Sequence, residues 1–166
     1  MGTSRRTREQ RRMTRSILVV TALIVGAAAI AIWYPGARSA ANTVVTVHKS
    51  ASCGCCKLWV QHLRTAGFSV APRDRDDLNA VKQRVGVPAS LSSCHTAEVD
   101  GYFVEGHVPV EDIKRLLRER PDAKGLTVPG MPIGSPGMEL GNRRDPYDVL
   151  LVHADGRTSV FSHHGK

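Results

Sequence analysis

The chain has 166 residues, with 23 Lys and Arg against 15 Asp and Glu and a formal net charge of +8 at pH 7. Residues 1–41 carry seven of the basic residues and one of the acidic ones, so residues 42–166 keep a net charge of only +2. Nucleic-acid binding therefore has no electrostatic support, and the remaining 125 residues suffice for one domain with a modest core.

Residues 1–41 have the composition of an export signal. Six arginines between positions 5 and 15 precede an apolar run over residues 17–32, and Ser39, Ala40 and Ala41 are small enough for a signal-peptidase site. This order of charge, apolar run and small residues predicts export. The run is long for a signal core and short for a bilayer span. A second interpretation is therefore an uncleaved anchor over residues 17–33, which would be the chain's one attachment to the inner membrane.

The first half of the remaining chain alternates strand and helix patterns. A β-branched run over residues 43–47 predicts a strand, and apolar residues at helical spacing from Cys56 to Ala66 predict a helix that Gly67 ends. A second strand is predicted over residues 68–71, followed by a helix that Asp76 or Asp77 caps. A strand, helix, strand order with a short crossover predicts a parallel pair.

The next elements complete a recognisable order. Asp100-Gly101 lies between two apolar runs and predicts a β-hairpin, and a third helix follows Pro109. The resulting order, βαβαββα, predicts an α/β domain over residues 42–166 with a thioredoxin-like core and a mixed four-stranded sheet. A second hairpin around Asp155-Gly156 is expected to extend that sheet.

Residues 122–146 contain five glycines and four prolines and show no periodicity, which predicts a long loop without secondary structure. Met131 and Met138 lie in this loop and are the only methionines outside residues 1–41. Buried methionines usually fill a core, but thioether sulfurs also suit Cu(I). Both interpretations of these two residues stay open.

The strongest chemical signal is the segment Cys53-Gly54-Cys55-Cys56, which lies where the first strand pattern gives way to the first helix pattern. Backbone N–H groups and the helix dipole favour thiolates at a helix N-terminus. Cys53 and Cys56 have the C-x-x-C spacing of thiol–disulfide enzymes. The additional sulfur of Cys55 has no place in dithiol chemistry, and three clustered thiolates suit Cu(I) or zinc.

Other residues can join this site. Cys94 precedes the first hairpin, where a thioredoxin-like fold approaches its C-x-x-C motif, so we expect it to supply a fourth sulfur. His95 and His107 are weaker candidates, because a lone histidine is more often a surface or capping residue than a ligand. Four other histidines are predicted to be non-ligands: His48, His62, His163 and His164. His153 carries no prediction.

Several motifs resemble a known family. SCGCCKLWV at residues 52–60, SCHTA at 93–97, GYFVEGHVP at 101–109, PGMP at 129–132, SPGME at 135–139 and RDPY at 144–147 occur in this order. Together they resemble the CopG-like family of small exported proteins associated with copper resistance. The resemblance implies a thioredoxin-like fold, a periplasmic location and a copper site formed by the three clustered cysteines and Cys94. It names copper, where spacing alone leaves zinc open.

Three hypotheses follow. The leading one is a periplasmic protein that holds Cu(I) through Cys53, Cys55, Cys56 and Cys94 and works with other periplasmic copper-handling proteins. The second is a thiol–disulfide or copper-redox oxidoreductase in which Cys53 attacks and Cys56 resolves. The third is a structural disulfide framework, which adjacent cysteines disfavour because vicinal bridges are strained.

Overall fold

The computed structural model describes residues 43–165, and the predicted export signal or anchor over residues 1–41 lies outside this range. The described chain runs β1, α1, β2, α2, β3, β4, α3, β5, β6, β7, with a 3-10 turn after α2. No helix in this range is long and apolar enough to cross a bilayer. The strands are β1 Val44–Lys49, β2 Ser69–Asp74, β3 Thr96–Val99, β4 Tyr102–Glu105, β5 Ala123–Thr127, β6 Tyr147–His153 and β7 Thr158–His164, and the helices are α1 Gly54–Thr65, α2 Leu78–Val85 and α3 Val110–Glu119.

The strands form one mixed sheet in the order β2-β1-β3-β4-β5-β6-β7. β1 runs parallel to β2 and β4 parallel to β5, while the other neighbours are antiparallel. The predicted α/β class and the parallel β1–β2 pair are therefore confirmed. The predicted four-stranded core and its added hairpin give six strands, whereas the sheet has seven, because β5 lies between β4 and the hairpin.

Strand β5 is the element that the sequence concealed. Residues 122–146 were predicted to lack secondary structure, yet Ala123–Thr127 pairs with β4 on one side and β6 on the other. A Cβ atom at Gly125 would collide with the carbonyl oxygen of Phe103 on β4. The close approach of the two backbones requires glycine, and glycine is the residue that weakens a strand pattern in sequence.

The predicted turns and caps are confirmed. The Asp77 carboxylate accepts hydrogen bonds from the backbone N–H groups of Asn79 at 2.9 Å and Ala80 at 3.2 Å, so it caps α2. Asp100 and Gly101 adopt φ values of 48° and 90° between β3 and β4, as a two-residue hairpin turn requires. The second hairpin joins β6 and β7 and extends the sheet.

Apolar side chains pack on both faces of the sheet. Because neighbouring residues of a strand point to opposite faces, Val104 on β4 packs with α1 and α3, whereas Phe103 packs with the residues that follow α2. Trp59 of α1 is fully buried in the larger cluster, and truncating such a side chain to alanine typically costs about 3–5 kcal/mol. The larger cluster includes Val45, Val47, Trp59, Val60, Leu63, Val104, Ile113, Leu116, Leu126 and Val149. This packing fixes the N-terminal end of α1 against the sheet.

Candidate metal centre

The cysteine segment lies at the N-terminus of α1, as the sequence predicted. Cys53 is the N-cap residue, and its Sγ accepts a hydrogen bond from the backbone N–H of Cys56 at 3.3 Å. The backbone N–H of Cys53 donates to the Ser50 carbonyl at 3.2 Å, which closes the turn between β1 and the helix. A sulfur therefore occupies the position where a Ser or Asp oxygen usually satisfies the first turn of a helix.

Four sulfurs meet at this point. Cys53 and Cys56 form a disulfide, while Cys55 and Cys94 are free thiols. The Sγ of Cys53 lies 3.5 Å from that of Cys55, and the Sγ of Cys56 lies 3.7 Å from that of Cys94. All four sulfur atoms lie within 4.8 Å of one another. The cluster could hold a metal ion through four sulfurs once the disulfide is reduced.

Two buried histidines extend the cluster. The Cys94 Sγ lies 3.2 Å from His95 Nδ1 and 3.1 Å from His107 Nε2, and these three residues form a second group that could hold a metal ion. Cys94 therefore belongs to both groups. The sequence gave these histidines less weight than the cysteines, since nothing in their spacing shows that both rings turn inward.

The orientation of His107 is set from the loop before β6. His107 Nδ1 lies 2.8 Å from the carbonyl oxygen of Pro136. A carbonyl can only accept, so Nδ1 carries the proton and Nε2 presents its lone pair toward Cys94. A hydrogen bond of this kind, from one ring nitrogen to a carbonyl, is how metal-binding histidines are usually oriented. Burial lowers the pKa of His107, which also favours the neutral ring.

His95 lies in the most enclosed part of the centre. Its ring centroid is 4.4 Å from that of Trp59 and 5.0 Å from that of His107. Burial, with contributions from His107 and Lys82, lowers the pKa of His95, so the ring is neutral at pH 7. Its Nε2 atom is buried and has no hydrogen-bond partner among the described residues. A neutral, buried imidazole suits a metal ligand better than an acid–base group.

Cys94 differs electrostatically from a typical reactive cysteine. Burial, together with the nearby Cys55, raises the pKa of the Cys94 thiol to about 12. The thiol therefore stays protonated at pH 7 until a cation replaces the proton.

The loop around the two methionines folds back onto α1. Gly137 has φ +87°, and a Cβ atom there would lie 2.7 Å from the Cys55 carbonyl oxygen and 2.8 Å from the Trp59 nitrogen. Met131 is 53% exposed and Met138 is half-buried. The backbone of the loop thus covers the first turn of the cysteine helix.

The four histidines predicted to be non-ligands each pair with a carboxylate. His48 lies 2.9 Å from Glu98, and the other three pairs have distances between 2.6 and 2.9 Å. None of the four belongs to the two candidate metal groups in residues 43–165. The three other histidine–carboxylate pairs are His62 with Glu139, His163 with Asp148 and His164 with Asp112.

The fold and the site together define a class: small α/β domains with a thiol cluster at a helix N-terminus, suited to soft metals or dithiol chemistry. Residues 91–138 match a family model described as a protein of unknown function, DUF411. Two solved structures named copper resistance protein CopG, Form 2 and Form 1, are 52% and 51% identical to the chain, each with a TM-score of 0.71. Each match covers 74% of this chain and 98% of the solved one.

A search of curated proteins found no match. At this identity and coverage of the solved structures, the chain belongs to the CopG-like copper-resistance family. The family predicted from the sequence motifs is therefore confirmed.

Proposed function

We propose that this protein binds Cu(I) in the periplasm through the thiolates of Cys53, Cys55, Cys56 and Cys94 and takes part in copper resistance. The observation that carries the proposal is the convergence of four sulfur atoms within 4.8 Å. Thiolates are soft ligands that select Cu(I), and zinc is the less favoured alternative. The name of the similar solved structures, copper resistance protein, supports copper over zinc.

The histidines complete the proposed ligand set. His95 and His107 both lie within 3.2 Å of the Cys94 Sγ, and both are fully buried. They would add nitrogen ligands to the sulfur cluster, with His107 held in the required tautomer by the Pro136 carbonyl. Met131 and Met138 are proposed as auxiliary thioether ligands that capture or release copper.

Copper binding and the disulfide compete for the same sulfurs. Before Cys53 and Cys56 can act as ligands, a dithiol reductant must transfer two electrons to their disulfide and leave two thiols. Each thiol then releases its proton when copper binds. In an exported protein this requires loading in the reduced state or a reducing partner, since the periplasm favours disulfides.

The Cys53–Cys56 disulfide favours a second candidate function, a thiol–disulfide or copper-redox oxidoreductase. Cys53 would attack a substrate disulfide and Cys56 would resolve the mixed disulfide, as C-x-x-C enzymes do. A thioredoxin-like core is part of both proposals: the order βαβαββα places C-x-x-C at the helix that follows the first strand. The two proposals differ only in the chemistry that they assign to the sulfur cluster.

Metal analysis of anaerobically purified protein, paired with thiol counting after denaturation, separates these functions. Bound copper with four free thiols supports copper binding. No metal with one reducible disulfide and two free thiols supports the oxidoreductase. Two inert disulfides would contradict both and leave the structural framework.

Export is proposed from residues 1–41 and is tested separately. Expression of the full chain, followed by separation of periplasm and membrane and mass measurement of the mature protein, is the test. A periplasmic product that begins near residue 42 supports cleavage. A full-length product in the membrane fraction supports an anchor over residues 17–33, and a full-length product in the cytoplasm would contradict export.

A further inference from the structure

A charged pair lies beneath the Cys94 side of the centre. Lys82 of α2 is 6% exposed and Glu105 of β4 is fully buried, and the two side chains form an ion pair. Desolvating two charges costs several kcal/mol per ion, so a buried pair does not by itself stabilise a fold. The hydrogen bonds of this pair indicate what it does in this protein.

The Glu105 carboxylate holds the chain on both sides of the Cys94-His95 dipeptide. Its Oε1 accepts a hydrogen bond from the backbone N–H of Ser93 at 2.6 Å, and its Oε2 accepts one from the hydroxyl of Thr96 at 2.6 Å. Lys82 Nζ donates to the same Thr96 oxygen at 3.0 Å and to Glu105. The carboxylate therefore contacts the residue before Cys94 and the residue after His95.

The same strand fixes the segment through its backbone. Gly106 lies between Glu105 and His107. Its backbone N–H donates to the carbonyl of His95 at 3.0 Å. Charge-assisted hydrogen bonds are about twice as strong as neutral ones. The hydrogen bonds of the Glu105 carboxylate are thus the strongest contacts between the end of β4 and the segment that carries Cys94.

We propose that Glu105 and Lys82 are positioning residues that hold Cys94 and His95 at the metal centre. The inference deepens the proposed copper site and rests on it only for its metal readout. Neither side chain contacts a sulfur in the described structure. Their contribution is to keep the Cys94 side chain partly buried and directed toward Cys56.

The two free thiols provide an internal comparison that needs no metal. In oxidised protein, Cys55 and Cys94 can each be alkylated and followed separately by mass spectrometry of peptides. Loss of a charge-assisted hydrogen bond lets the Ser93–Thr96 segment open more often. We expect Glu105→Gln and Lys82→Met to raise the Cys94 alkylation rate about tenfold while the Cys55 rate stays unchanged.

Glu98→Gln is the matched control. Glu98 lies on the neighbouring strand β3 and pairs with Arg84 and His48, away from Ser93. A general loss of stability would raise both alkylation rates, and thermal unfolding would report it. If Glu105→Gln does not fold, Thr96→Val removes one of the two anchoring contacts and keeps the carboxylate, and it is measured in the same way.

The inference is overturned if every folded variant keeps the wild-type ratio of the Cys94 rate to the Cys55 rate. The metal readout is a competition titration with a Cu(I) chelator, in which Glu105→Gln should lose about 10–100-fold in affinity, as outer ligand partners do. Wild-type protein that binds no copper would contradict the proposed function. The alkylation ratio would still decide the positioning role.

Discussion

The cysteine segment of α1 and the segment around Cys94 contribute to the same centre, but they hold their side chains differently. Cys53 and Cys55 are partly exposed at a helix N-terminus, and Cys53 is joined to Cys56 in a disulfide. Cys94 lies against two fully buried histidines, and burial and Cys55 raise its pKa to about 12. On one side of the centre two sulfurs are thus joined in a disulfide, and on the other a single thiol resists ionisation.

This difference suggests a division of labour. The α1 side can exchange ligands or form the disulfide with Cys56, because Cys53 and Cys55 are partly exposed to reductants and copper donors. On the Cys94 side the two histidine rings are fully buried, although Cys94 itself is only partly buried, so this side contributes nitrogen ligands whose positions are fixed before copper arrives. Affinity should depend mainly on the enclosed side, and exchange rates mainly on the accessible side and the loop that covers it.

Removing the sulfur shared by both groups is the strongest test of this division. We expect Cys94→Ser to lower Cu(I) affinity by more than about 100-fold, because loss of a soft ligand exceeds the roughly 10–100-fold effect of losing an outer partner. The fold should persist, since Cys94 forms no disulfide. A competition titration with a Cu(I) chelator measures the affinity, and unchanged affinity would remove Cys94 from the centre. An oxidoreductase that uses only Cys53 and Cys56 should still reduce a model disulfide in this variant.

The contact between the loop and α1 is tested at Gly137. An alanine there would force its Cβ into the backbone of Cys55 and Trp59. Such overpacking costs about 1–3 kcal/mol of unfolding free energy, in addition to about 1–2 kcal/mol for a non-glycine residue at positive φ. Denaturant unfolding measures both costs together.

Gly130→Ala is the control for backbone strain alone. Gly130 has φ +71°, and its Cβ position is open. The Gly130→Ala variant should therefore lose only the unfolding free energy that a non-glycine residue costs at positive φ. Equal losses of unfolding free energy for the two variants would mean that the loop does not pack closely against the cysteine helix.

A substitution of His107 tests the Cys94 side of the centre with a smaller expected loss of Cu(I) affinity. We expect His107→Gln to lower Cu(I) affinity about tenfold, less than the loss of a sulfur, because the Nε2 lone pair facing Cys94 is lost while the four softer sulfur ligands remain. His48→Gln is the matched control, since His48 is also buried but pairs with Glu98. A competition titration of both variants decides the matter: equal affinities would leave His107 as a packing residue.

The two sides of the centre also differed in how well the sequence predicted them. Cys53, Cys55 and Cys56 are close in sequence, and the change from strand to helix pattern located them at a helix N-terminus. The Cys94 side depends on contacts over long sequence distances, such as Glu105 with Lys82 and Pro136 with His107. No local pattern reports those contacts, so the sequence left the histidines uncertain and did not identify the buried ion pair.

The fold shows the same dependence on local signals. Turns with Asp-Gly and the Asp77 cap have a direct sequence signature, and these predictions were confirmed. Strand β5 has a glycine where it passes closest to Phe103, so the residue that allows the pairing also hid the strand. The predicted sheet consequently had too few strands, although the order of the elements before β5 was right.

The methionines of the covering loop should give the smallest effect. Met131 is exposed and Met138 half-buried, while the backbone of Gly137 between them touches α1. Thioethers bind Cu(I) without losing a proton and cannot form disulfides, which suits brief contact with copper entering or leaving the accessible side. Replacement of both by leucine nearly conserves volume and should cost less than about 1.5 kcal/mol of metal-free stability.

We therefore expect the Met131→Leu, Met138→Leu double variant to keep its thermal stability and its affinity within a small factor, yet to transfer copper to a chelator at a different rate. Timed transfer from copper-loaded wild type and variant measures this, with Leu140→Met as a control for adding a thioether elsewhere on the exposed loop. Because leucine retains the apolar contacts and removes only the sulfur, a changed rate would assign the thioethers to copper exchange. Matching rates would leave the two methionines as apolar anchors that fasten the loop to the domain.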